Sequence, residues 1–289
     1  MVYITDSDNL YQQHNVFYGY LLFFKSLILD PFILTDQQTY SFADVVTQVL
    51  FPTFQLCLLA ILCAIIIGFP IGIRLATTKN SSSTIIIQII CLILYACPII
   101  WLALLLTSIP YFEGAFNHSP IDIPTITGFS LLDILLSAHP DKWSLFYTEL
   151  KQLFLPVFVL TIQPCIATIQ TISQHVSNVN DKNFIKVAKI RENSPIRLLL
   201  RHILPNAIPE AMPQLAYNAT TLLFSTMVVE ILFEHKGLGV WVFTAFTEHN
   251  YYFISLAMIS CGILISLINL LSELIVVIVS PVQIRSSYE

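Results

Sequence analysis

Charge is what this sequence has least of. Only 11% of its 289 residues are Asp, Glu, Lys or Arg, against about 25% in a soluble globular domain. With 56% hydrophobic residues and a mean hydropathy of +0.76, that deficit excludes an ordinary water-soluble core and implies a polytopic membrane protein. Other absences narrow the chemistry. No Gly-x-x-x-x-Gly-Lys-Ser/Thr phosphate loop occurs, so the chain is not expected to bind ATP by that route. His14, His118, His139, His175, His202, His235 and His249 are scattered without metal-ligand spacing. Cys57, Cys63, Cys91, Cys97, Cys165 and Cys261 all fall in apolar runs and read as small buried residues. No nucleophile and base stand in a recognisable arrangement. The chain is therefore expected not to be an enzyme, with no catalytic, cofactor-binding or metal-ligating residues of its own. No cleavable signal peptide is visible, because the N-terminus has no basic region and opens with Asp6 and Asp8.

What is present is a set of long apolar runs. Five are long enough to cross a hydrocarbon core of about 30 Å as helices: roughly 52–75, 85–109, 153–173, 212–233 and 254–279. They are far longer than barrel strands and do not alternate, so the expected fold class is all-α. Lys and Arg favour the cytoplasmic side of such a protein. Arg74 and Lys79 lie in the loop 74–84. Lys182, Lys186, Lys189, Arg191, Arg197 and Arg201 lie in the loop 174–211, and Arg285 lies in the tail. Residues 1–51 and 110–151 are acid-rich by contrast, with Asp6, Asp8, Asp30, Asp36 and Asp44 in the first and Glu113, Asp122, Asp133, Asp141 and Glu149 in the second. The domain plan is a periplasmic segment 1–51, a transmembrane domain 52–279 and a cytoplasmic tail 280–289. A fifty-residue acidic segment outside, with no span to lead it across, implies a sixth, N-terminal helix missing from this sequence.

The basic loop is the most informative segment. From 181 to 191, Phe184, Ile185, Val187, Ala188 and Ile190 alternate with Lys182, Lys186, Lys189 and Arg191 in the manner of a short surface helix. Asn193-Ser194-Pro195 then supplies a turn, an N-cap and a proline at the first helical position. A second short helix follows, and Pro205, Pro209 and Pro213 break or kink the return to the membrane. Spacing alone leaves open an amphipathic helix held on anionic lipid. The interleaved residues are aliphatic, not aromatic, which argues against nucleic acid.

The loop resembles the Glu-Ala-Ala loop of ABC importer permeases. Lys186, Val187 and Ala188 occupy its first three places, Glu192 its glycine, His202 its isoleucine, and Leu204-Pro205 its Leu-Pro. Gly68-Phe-Pro-Ile-Gly72, Pro98-Ile-Ile-Trp-Leu, Glu230-Ile-Leu-Phe233 with Gly237-Leu-Gly239, His249-Asn-Tyr251 and Ser280-Pro281…Ile284-Arg285 are similar, in order, to motifs of the dipeptide/oligopeptide branch. Within it the pattern resembles the Sap-type permeases linked to antimicrobial-peptide uptake.

The resemblance implies a type I importer transmembrane domain moving peptides, cationic antimicrobial peptides among them, by alternating access. It implies a coupling helix that docks on a cytoplasmic ATPase, drawn from Phe184, Lys186, Val187, Ala188, Arg191, Glu192, Asn193, Leu204 and Pro205. The partners implied are a second homologous permease, two ATPase subunits carrying ATP and Mg, a periplasmic binding protein and the bilayer of the inner membrane. Lys236 stands where the branch has proline before Gly237.

Inside the spans, Glu230, Phe233, Gly237, Gly239 and Glu273 are candidate gate or lumen residues. Glu230 reads equally as a structural acid held by a hydrogen bond, and Glu273 as a tether between helices. Gln163, Gln170, Gln174, Asn218, Thr220, Thr221, Ser225 and Asn269 read as interhelical hydrogen-bonding groups, some of them lining a passage. An ion-coupled secondary transporter with Glu230 and Glu273 as relays, and a non-transporting scaffold or sensor, are the alternatives. Internal repeats, expected of the first, are not visible.

Overall fold

The computed structural model describes residues 32–34, 39–41, 46–78, 81–109, 126–192, 194–249 and 251–279. Lys79, Asn193, most of the acidic segment 1–51, the loop 110–125 and the tail 280–289 lie outside the described residues. Two three-residue strands, β1 (Phe32–Leu34) and β2 (Thr39–Ser41), pair antiparallel with Phe32 opposite Ser41. The rest is helical. A π turn, Val46–Leu50, leads into α1 (Phe51–Thr77). There follow α2 (Ser82–Ala96), α3 (Ile99–Thr107), α4 (Ser130–Leu136), α5 (Lys142–Asn180), α6 (Asn183–Arg191), α7 (Pro195–Leu198), α8 (Leu204–Leu232), α9 (Leu238–Thr247) and α10 (Tyr251–Val279). Apolar helices lie over all five expected runs: four are long and apolar enough to cross a membrane, and the fifth run is a bent pair, either a broken span or a re-entrant loop.

The break belongs to the second crossing, which the sequence reading drew straight from 85 to 109. α2 and α3 meet at 84° across Cys97-Pro98. Proline pushes the residue before it out of the helical region, and Cys97 is extended at φ −74°, ψ 120°. Pro98 in turn starts α3 from an extended position. The fourth crossing departs the other way. The second loop helix is not a separate short element, because α7, a π turn at Leu199–Ile203 and α8 run on as one helix from Pro195 to Leu232. The Leu204 amide bonds the Leu199 carbonyl five residues back, which widens the helix one residue before Pro205. A π bulge of this kind takes up the missing donor and ring bulk of a proline.

α5 is the central helix. Its apolar window is 56% buried, whereas that of α10 is 11% buried. Its 39 residues span about 58 Å, so it overhangs the hydrocarbon at both ends. α1 packs along it more extensively than any other pair does. The reason lies in Ala60, Ala64, Gly68, Gly72 and Ala76, which recur every fourth position on α1 and are all buried. Lipid tails are as apolar as leucine, so helices in a bilayer associate by close packing, which small residues permit. A Cβ on Gly68 would stand 2.9 Å from the Cys165 carbonyl oxygen, and one on Gly72 the same distance from that of Ile169.

Two apolar cores sit at opposite ends of this seam. One joins Leu56, Ala60, Ala103, Leu153, Leu160, Leu222, Val229 and Phe233. The other joins Ala76, Ile172, Val176, Val179, Ile185, Leu198, Ile203, Leu204 and Ala207. At the first end, two of the acids counted in the acidic segment are not free charges. Asp133 accepts from the Thr127 and Gly128 amides at 2.7 and 3.1 Å. Glu149 accepts from the Ser130 hydroxyl at 2.5 Å.

Candidate functional site

The loop helix α6 has two apolar faces. Ile185 is fully buried in the second core, and Ala188 packs on the same core from its edge. Phe184, Val187 and Ile190, at i, i+3 and i+6, point the other way and are 48%, 54% and 83% exposed. Ile196 and Leu200 beyond the turn are exposed as well. A surface helix needs only one apolar face to hold it to its own protein. No described residue covers the second face, and a contiguous exposed apolar patch marks a site of association.

Ion pairs fix the helix at both ends. Lys182, its N-cap, donates to Glu210 of α8 at 2.7 Å, and His175 Nδ1 of α5 lies 3.8 Å from the same carboxylate. Past the C-terminal end, Glu192 is extended at φ −105°, so the glycine of the resembled pattern is not required at that place. Its carboxylate meets Arg197 at 3.3 Å and His202 at 3.8 Å. Ser194 accepts from the Arg197 amide at 3.5 Å, as an N-cap should.

Of the expected docking residues, Phe184, Lys186, Val187 and Arg191 are thus exposed. Ala188 and Leu204 belong to the inner side, in the core that seats the helix, and Pro205 is half-buried. Ile190, Ile196 and Leu200 complete the exposed patch and were not singled out from sequence. Their signal was a second apolar register, 184/187/190, running beside 185/188.

The polar residues of the spans form two stripes of equal spacing. Gln163, Ala167, Gln170 and Gln174 follow i, i+4, i+7, i+11 on α5. Gln214, Asn218, Thr221 and Ser225 follow the same steps on α8. The stripes meet in a groove of about 70 Å3, lined by Gln163, Ala167, Asn218, Thr221 and Ser225 with Tyr95 of α2 across it. Thr221 and Ser225 donate back to the Tyr217 and Thr221 carbonyls at 3.0 and 3.4 Å. Gln214 donates to Asn218 at 3.3 Å, while Asn218 Nδ2 is buried without an acceptor. The groove is therefore uncharged, its hydrogen-bonding groups set among the apolar Pro164, Ala167 and Leu222.

Glu230 does not face that groove. It is fully buried, and its Oε2 accepts from the Gly239 amide at 2.7 Å. Thr53 of α1 accepts from the Leu238 amide at 2.7 Å. Two donors at the start of α9, which no intrahelical carbonyl can satisfy, are thus capped from two other helices. A Cβ on Gly237 would collide with the Glu230 carboxylate, and one on Gly239 with the Met227 backbone. Phe233 closes the same corner in the first core. Glu273 lies apart from this group, exposed on α10 beside a cleft that α8 borders.

A bundle of long apolar helices with a groove among them and a loop helix that presents an exposed apolar ridge fits a membrane transport subunit. A family model described as "Binding-protein-dependent transport system inner membrane component" matches residues 68–284, and the chain belongs to that family. It is a multi-pass inner-membrane permease subunit. The chain is 29% identical over 278 residues to the putrescine export system permease protein SapB of Escherichia coli (strain K12), covering 93% of this chain and 86% of the relative. It is also 29% identical over 284 residues to the peptide transport system permease protein SapB of Haemophilus influenzae, covering 95% and 87%. Among solved structures, the inward-facing MetNI methionine ABC transporter superposes with a TM-score of 0.61 at 16% identity, covering 86% of this chain and all of that one. That likeness is one of fold.

Proposed function

We propose that this chain forms half of the membrane path of a peptide-moving ABC transporter and that α6 is the lever through which ATP drives it. The single observation behind this reading is the two-faced helix. Ile185 and the Lys182–Glu210 pair fasten α6 to α5 and α8, while Phe184, Val187 and Ile190 present an apolar ridge outward. A lever needs both properties, a rigid attachment to what moves and a free surface for what pushes. In the proposed orientation α6 is cytoplasmic, α9 lies at the periplasmic end and residues 1–51 are periplasmic.

The chain itself hydrolyses nothing and binds no cofactor. Two ATPase subunits carrying ATP and Mg dock below, a second homologous permease completes the path, and a soluble binding protein delivers cargo from above. ATP-driven closure draws the coupling helices together, and α5 and α8 transmit the movement to the polar groove, exposing it to each side in turn. Glu230, Gly237 and Gly239 act as the anchor that holds the outer helix α9 as α8 tilts. The names of the relatives favour peptide cargo, and that of the Escherichia coli relative adds a diamine as a second candidate.

Val187→Arg and Phe184→Ala, made singly, test the lever. Both keep the inner face of α6 intact. The expected outcome is normal membrane insertion with loss of ATPase co-purification and of ATP-driven uptake. Full co-purification by Val187→Arg would refute the docking assignment.

A further inference from the structure

Glu273 is the only charged residue of α10, and it is exposed. Six residues, about 9 Å of helix, separate it from Val279 at the end of the span. Glu273 thus stands toward one end of the span rather than at its centre, and acids within spans face water or a partner rather than lipid. No hydrogen bond or ion pair with the described residues engages this one.

It opens instead on a cleft of about 650 Å3 between α8 and α10, shared with Asn269, Ser272, Pro209, Met212 and Pro213. The chemistry of that cleft is one-sided. α10 contributes an amide, a hydroxyl and a carboxylate on adjoining turns. The α8 wall contributes no cation, and its prolines lack the amide donors that would bond the carbonyls of Pro205 and Pro209. Lys182, the basic residue at the N-terminal end of α6, pairs with Glu210. Glu230, the other acid inside a span, is spent on the start of α9. The cleft thus carries one negative charge with an amide and a hydroxyl close to it, on walls that are otherwise apolar, Ala216, Val276 and Val277 among them.

We propose that Glu273, with Asn269 and Ser272, forms a subsite on the transport path for a primary ammonium or guanidinium group of the cargo. This rests on the permease reading above and adds a site to it. Charge is read here, at the α6 end of the path, while the groove between α5 and α8 passes neutral hydrogen-bonding groups without selecting by charge. The cargo class favoured is a cationic peptide or diamine over a neutral one.

The complete transporter, this chain with the subunits that co-purify with it, is reconstituted in vesicles of phosphatidylcholine and phosphatidylglycerol. These lipids carry no primary amine, so no lipid ammonium can occupy the subsite. ATP-driven transport of trilysine and trialanine is measured for wild type, Glu273→Gln and Glu273→Asp. Glu273→Gln is expected to lower trilysine transport about tenfold while trialanine stays within about twofold, the loss of one charge-assisted contact. Glu273→Asp retains most of the trilysine signal. Undiminished trilysine transport by Glu273→Gln overturns the subsite and leaves the permease reading standing. Equal loss for both peptides also overturns it, and a second permease subunit missing from the purified complex would then identify that subunit as the partner of Glu273. Wild-type vesicles that move neither peptide overturn the permease reading and the subsite with it.

Discussion

Glu192 and His202 face each other at 3.8 Å across the turn between α6 and the long helix that begins at Pro195. These are the two positions at which the loop departs from the glycine and isoleucine of the pattern it resembles, and they depart together. Arg197 joins the same carboxylate at 3.3 Å. A hinge that would otherwise rely on backbone freedom is here held by side chains.

The pair predicts non-additivity. Glu192→Gly and His202→Ile each remove one partner, and each alone should loosen the loop. Arg197 and His202 are partly solvated, so the coupling energy is on the order of 0.5–1 kcal/mol. A double-mutant cycle on thermal unfolding in detergent measures it. The double variant, which restores the resembled pattern at both places, is expected to recover more ATP-driven uptake than either single variant.

The seam between α1 and α5 predicts a steric penalty. Gly72→Leu places a side chain where even a Cβ would stand 2.9 Å from the Ile169 carbonyl. Overpacking of this kind costs roughly 1–3 kcal/mol. The melting temperature in mild detergent should fall. Gly262→Leu, on α10 where a Cβ meets nothing within 4 Å, should leave it unchanged.

The capped start of α9 predicts local rather than global loosening. Glu230→Ala leaves the Gly239 amide buried without an acceptor, a cost of about 1–3 kcal/mol. Hydrogen exchange at 238–241 should accelerate about tenfold or more while the centre of α5 stays protected. Glu230→Gln keeps an acceptor and should lie between the two.

How much of this was legible beforehand differed by element. The helices were legible because an apolar run of twenty or more residues has few fates, and four of the five runs are single long apolar helices while the fifth is a bent pair. The bend at Cys97-Pro98 was not, because a proline inside an apolar run can be absorbed, as Pro156 and Pro164 are within α5, or can end a helix. The sequence does not say which. Gly68 and Gly72 were visible as a motif, but their use emerged only when Ala60, Ala64 and Ala76 fell into the same ridge. Of the two structural and functional readings of Glu230, burial and the Gly239 contact supply a physical basis for the first, which depended on a helix start nine residues away. Ala188 seemed suited to a docking surface from its place in the loop pattern. Its side of the helix was decided by Ile185, whose burial turns 184, 187 and 190 outward.

The groove predicts that transport and stability can be separated. Asn218 Nδ2 is buried without an acceptor, and relieving that group recovers about 1 kcal/mol or more of desolvation. Asn218→Leu is expected to raise or preserve the melting temperature while lowering ATP-driven transport several-fold. A variant that melts earlier and transports normally would count against the groove as the path.

The lever itself is tested most directly by photocrosslinking in native membranes, with a benzophenone amino acid placed at Val187 and, as a control, at Ile185. The account predicts an adduct with a cytoplasmic ATPase subunit from position 187 and an adduct within this chain from position 185. Adducts at 187 with lipid alone would contradict it, because the apolar ridge of α6 would then rest on the bilayer and not on a motor.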